Sequence, residues 1–80
     1  MNLKHLMETY TPGDEWSWEE EFSVLEEIDH NKLRDLESSV VAVGILNPIL
    51  LGADGRIWDG HHRIYVAHKL GIGEVPVEKV

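Results

Sequence analysis

Asp59-Gly60-His61-His62-Arg63 gathers a carboxylate, a glycine, two imidazoles and a guanidinium within five residues. Those groups suit an anion, phosphate above all. Arg63 can grip a phosphate through two parallel hydrogen bonds. His62 can donate to a phosphate oxygen when suitably protonated. Gly60 lets a ligand approach the backbone. Neighbouring helical residues point about 100° apart, so His61 and His62 are not expected to share one ligand. Asp59 could hold a magnesium ion, act as a general base, or simply cap a helix. The alternative for the whole segment is structural: a helix start with Arg63 paired to a carboxylate and the histidines solvated.

The elements around the segment decide how such groups would be aimed. Arg56-Ile57-Trp58 reads as a strand entering it, and residues 60–70 read as a helix leaving it, closed by Gly71. The first N–H groups of a helix lack intrahelical partners and lie at the positive end of its dipole, a natural anion site. Backbone N–H groups of residues 60–62 plus Arg63 are the expected phosphate ligands. Upstream, Ile49-Leu50-Leu51 predicts a partner strand, joined through the hairpin turn Gly52-Ala53-Asp54-Gly55. A helix over 30–43 carries Leu33, Leu36, Val40 and Val43 on one face. Asp29 is its expected cap and Gly44 its left-handed stop.

Ser17 with Glu20 forms a capping box, and Trp18, Phe22, Leu25 and Ile28 follow at helical spacing, predicting a helix over 17–28. A strand over 22–28 is the competing reading, with Phe22, Val24 and Ile28 fitting period two with one gap. Residues 2–10 predict a short helix with Leu3, Leu6 and Met7 inward, and Thr11-Pro12-Gly13-Asp14 a break. Residues 74–80 predict a last strand, with Pro76 suiting an edge or the strand's start. The order implies an α/β (α+β) fold, a small mixed sheet packed by helices. Core packing is the expectation for Trp18 and Trp58, and exposure for Trp16. His5 and His30 read as surface residues.

Eighty residues make one domain at most. A chain this short is marginally stable alone, so a homodimer would help it. It has no cysteine, which removes disulfides, thiol chemistry and Cys-based zinc sites. His61 and His68 stand seven residues apart, too far along a helix to share an ion, so no zinc is expected. Residues 1–29 carry nine acids against Lys4, whereas residues 30–80 balance six acids with six bases. The net charge of −8 therefore sits wholly in the N-terminal third. Non-specific duplex binding relies on surplus Lys and Arg, so direct DNA binding by the monomer is not expected. The acidic third could instead meet a protein partner, or be a solvated helix face. No segment has the apolar length to span a membrane and the start lacks a signal-peptide core; a cytoplasmic location is the expectation.

The second half resembles a known superfamily. Gly44-Ile45-Leu46-Asn47-Pro48-Ile49-Leu50-Leu51, then Asp59-Gly60-His61-His62-Arg63, then Leu70-Gly71-Ile72 and Val75-Pro76-Val77 are similar in order and spacing to the ParB/sulfiredoxin superfamily. The likeness is to the N-terminal domain of ParB proteins, the ParB-like nuclease domain, including standalone bacteriophage versions. It covers residues 29–80. Residues 1–28 then read as an acidic helical N-terminal extension of one compact domain. The resemblance implies a ParB/sulfiredoxin-like fold and a nucleotide, CTP or ATP, beside which Asp59 could hold magnesium. The ParB Gly-Glu-Arg-Arg motif falls on Gly60, His61, His62 and Arg63, with His61 in place of the glutamate. The sulfiredoxin cysteine also falls on His61, which excludes sulfiredoxin chemistry. The loop at Asn47 and Pro48 would line the nucleotide pocket, though a plain helix-stopping turn explains it equally. Glu37 and Ser38 or Ser39 could face the phosphates. ParB's helix-turn-helix and dimerisation domains have no counterpart here.

Three functions follow as expectations. The first is a nucleotide- or phosphate-binding module at residues 59–63, with a nucleotide-dependent regulatory or DNA-associated role. The second is a phosphotransferase or nuclease using Asp59 with magnesium. The third is a phage interaction domain using the acidic N-terminal surface.

Overall fold

In the computed structural model, which describes residues 1–13 and 16–80, local hydrogen-bond chemistry sets the helix starts. Asn2 caps α1 (Leu3–Thr9) by accepting from the His5 N–H at 3.0 Å. Ser17 and Glu20 form the reciprocal capping box that opens α2 (Trp18–Ile28). The helix wins over the strand reading of 22–28, because the box satisfies the Glu20 N–H among the orphan donors of its first turn and three glutamates there complement the dipole. Helix α3 (His30–Val43) follows after a single residue, Asp29. Asp14, the last residue of the expected break, lies outside the described residues.

The sheet is small and mixed. Strand β1 (Ile49–Leu51) is central, antiparallel to β2 (Ile57–Asp59) and parallel to β3 (Val77–Lys79), giving the order β2-β1-β3. Helix α4 (His61–Leu70) makes the crossover between the outer strands. The fold is therefore α+β. The hairpin turn closes through the Gly55 N–H to the Gly52 carbonyl at 3.2 Å. The last strand is shorter than expected. Glu74 is taken by an antiparallel bridge to Asn2, and Pro76 precedes β3 while its carbonyl accepts from the Ile49 N–H. Strand β3 lies at an edge, where the N–H that proline lacks is not needed.

One core joins the two ends of the chain. Leu3 and Leu6 of α1 pack with Ile49, Leu51, Ile57, Ile64, Ala67 and Val75. The Met1 ammonium and N-terminal backbone close this seam on the Val75 carbonyl and N–H, each at 2.9 Å. Leu25, Leu33, Val40 and Val66 are buried where α2, α3 and α4 meet. Ile28 and Val43, expected inward, are exposed, each at the last position of its helix.

Three local expectations fail for identifiable reasons. Asp59 does not cap α4: it ends β2, and Gly60 takes the N-cap position at φ 112°. Asp29 stands at the N-cap position of α3 without making a capping bond, because its carboxylate is drawn to His62. Gly44 ends α3 at φ 80° and ψ −172°, an extended exit rather than a left-handed cap.

Candidate functional site

The N-terminus of α4 is held by its own side chains. Gly60 is buried, and a Cβ there would stand 2.9 Å from Ile49 Cγ1 and 3.2 Å from Ile49 Cα. The glycine thus serves close packing of the helix start on β1, not the approach of a ligand to that side. Among the described residues, the first-turn N–H groups, those of His61, His62 and Arg63, receive no side-chain cap.

The three basic side chains of the motif take different partners. His61 Nε2 donates to the Pro12 carbonyl, which as an acceptor fixes the proton on Nε2. Its ring also tilts against Trp18, with centroids 6.3 Å apart. His62 leaves toward the α2–α3 junction, its Nε2 2.9 Å from Asp29 Oδ2. Arg63 Nη1 donates to the Pro48 carbonyl at 3.1 Å, and Nη2 stands 3.8 Å from Asp59 Oδ2. Pro48 is therefore brought to Arg63 through its backbone, whereas Asn47 is exposed beside it.

Between α3 and the start of α4 lies a cleft of about 410 Å³, lined by Lys32, Asp35, Leu36, Asp59, Gly60, His62 and Arg63. His61 is outside that lining, so the structure unites Asp59, Gly60, His62 and Arg63 and sends His61 to the opposite flank. Lys32 makes no ion pair among the described residues, which leaves its ammonium available to a ligand. Two cations thus share the cleft with two carboxylates. Lys32 and Asp35 were missed by sequence reasoning. The i, i+3, i+4 spacing of Lys32, Asp35 and Leu36 marks one helical face, but not what that face meets. Glu37, one of the residues expected near phosphates, instead binds Lys69 at 3.2 Å, and Ser38 lines a separate groove on α3.

The far side of α4 is aromatic. Phe22 meets Tyr65 edge-on at 5.2 Å and His68 at 5.3 Å, which binds α2 to α4. The Tyr65 hydroxyl donates to Glu26 Oε1 at 2.6 Å. That bond to a carboxylate, with desolvation added, pushes the phenol pKa up to about 12. His61 and His68 both belong to this side, near Trp18 and Phe22. Among the described residues no group of three His, Cys, Asp or Glu side chains could hold a metal ion.

No family model matches the chain, and no solved structure does either. It is similar to the "Uncharacterized protein ORF326b" of Acidianus two-tailed virus, 35% identical over 65 residues, which cover 80% of this chain. The chain spans only 19% of that viral protein. No helix among the described residues is long and apolar enough to cross a membrane.

Proposed function

We propose that the chain is a nucleotide- or phosphate-binding module whose ligand phosphates lie in the cleft between α3 and the first turn of α4. The observation that carries this reading is the meeting of Lys32 and Arg63 beside helix N–H groups that no side chain caps among the described residues. A phosphate there gains two charge-assisted partners and the positive end of the helix dipole. The Pro48 carbonyl and Asp59 orient the Arg63 guanidinium, which still has donors to spare. Asp35 and Asp59 repel a bare phosphate, so the reading favours a magnesium-bearing nucleotide over free phosphate. The ParB/sulfiredoxin resemblance supports the same site and the nucleotide class. Asp59 enters here as a positioning group for Arg63.

Calorimetric titration with CTP, ATP and GTP, with and without magnesium, tests the reading. Binding by the wild type should weaken at least tenfold in Lys32→Ala and in Arg63→Ala. Lys32 is exposed, so its variant leaves the fold intact and reports on the ligand alone. Unchanged affinity in Lys32→Ala, or no heat from any nucleotide with the folded wild type, would overturn it.

A further inference from the structure

Among the described residues, His62 is the one imidazole that lines the cleft between α3 and α4. Its Nε2 stands 2.9 Å from Asp29 Oδ2, and Asp29 makes that contact in place of a capping bond at the start of α3. An ionised carboxylate only accepts, so Nε2 carries the proton of the neutral ring and Nδ1 is left as a bare lone pair. Nδ1 makes no hydrogen bond among the described residues. Asp29 thus decides where a change of protonation is felt. A proton gained from solvent turns Nδ1 from an acceptor into a donor and gives the ring a positive charge, while Nε2 stays tied.

The ring is half-buried, with 24% of its side chain still open to solvent, so it can both hold Asp29 and meet a ligand. The charged groups around it come from four places. Asp29 stands at the α2–α3 joint, Lys32 and Asp35 come from α3, Asp59 from the end of β2, and Arg63 from α4 itself. Glu26 of α2 is taken by Tyr65, and Glu37 of α3 by Lys69. His30, beside Asp29, is exposed and outside the cleft lining, and His61 lies on the opposite flank. Imidazole is the side-chain type whose charge changes between about pH 5 and 8. His62 is therefore the group by which pH alters the charge of this cleft.

Resting on the phosphate reading of the cleft, we infer that His62, held by Asp29, is a proton-linked switch of that site: a bound phosphate takes up a proton on His62, and binding tightens as pH falls. With His62 neutral, Lys32 and Arg63 face Asp35 and Asp59, and the Nδ1 lone pair offers a phosphate oxygen nothing. With His62 protonated, the same lining holds three cations against two carboxylates, and Nδ1–H becomes a charge-assisted donor beside Arg63. A bound phosphate favours the charged ring, and by linkage the charged ring favours the phosphate by the same factor.

Calorimetric titration of the full chain with magnesium-loaded CTP and ATP, from about pH 8 down to about pH 6, tests the inference. The His62→Gln variant keeps an amide donor for Asp29 but cannot titrate, and the protonation of the nucleotide itself cancels in the comparison. Wild-type affinity should rise by about fivefold or more relative to His62→Gln over that range. Lys32→Ala should bind more weakly at every pH yet keep the wild-type slope. Titration in two buffers of unlike protonation enthalpy counts the protons, and the wild type should take up more than His62→Gln does. Parallel pH profiles and equal proton counts, with wild type and variant both binding, would overturn the inference and leave the phosphate reading standing. Absence of binding by the folded wild type would overturn both. Should His62→Gln fail to fold, the wild type decides alone: binding with no proton taken up beyond that of the nucleotide would overturn the switch.

Discussion

Replacing Gly60 with alanine tests the structural account of the α4 start most directly. The backbone there sits at φ 112°, where an L side chain is strained by about 1–2 kcal/mol. The new methyl group would stand 2.9 Å from Ile49 Cγ1 and 3.2 Å from Arg63 Nη1. Forcing extra volume into packed surroundings adds about 1–3 kcal/mol. The two together give a loss of about 3 kcal/mol, a large share of the roughly 4–12 kcal/mol that a domain of this size possesses. Gly71 supplies the internal control. It also has positive φ, 72°, but a Cβ there meets nothing within 4 Å. Gly71→Ala should therefore cost about 1 kcal/mol, the backbone part alone. Urea unfolding followed by circular dichroism measures both. Equal losses in the two variants would refute the claim that Gly60 is required by contact with β1 and Arg63.

Three further outcomes follow from named contacts. Ultraviolet titration should show one tyrosine ionising late, at about 12, and Glu26→Gln should return it toward the ordinary 10.0. Because the folded-state pKa is raised, this contribution, about 1 kcal/mol after allowing for solvent screening, is complete below pH 10 and lost as pH climbs from there towards 12; alkaline unfolding that ignores Glu26→Gln would contradict it. Ser17→Ala removes half of the capping box and should lower stability by about 1 kcal/mol in thermal melts, whereas Ser23→Ala, a mid-helix exposed change, should not. A double-mutant cycle on Asp29 and His62, each to alanine, should give a coupling of about 0.5–1 kcal/mol at pH 6, and additive losses would deny their contact.

The acidic third of the chain changes meaning once the fold is known. Residues 1–29 carry the surplus charge, yet Leu3 and Leu6 sit in the same core as Ile49 and Ile64, and the Met1 ammonium bonds to Val75. The glutamates of α2 face solvent for the most part, while Trp18, Phe22 and Glu26 hold α4 through His61, Tyr65 and His68. The helix that bears the negative charge thus also braces the back of the proposed phosphate site.

What the sequence determined by itself is local. The capping box at Ser17 and Glu20, the turn at 52–55, the stop at Gly71 and the edge position implied by Pro76 follow from bonds that span a few residues, so neighbouring residue types suffice to write them. The strand-to-helix junction at 59–63 and the helix periods were legible for the same reason. Tertiary structure decided the rest. Nothing in the spacing of α3 says that Lys32 and Asp35 meet Arg63 and Asp59, because that meeting depends on how α3 crosses α4. Asp29 and Asp59 have the chemistry of caps but lose that role to His62 and Arg63, partners that only packing brings near. Trp58 looks like a core residue in one dimension and becomes an exposed one because a single extra residue in β2 turns it to the open face of the sheet.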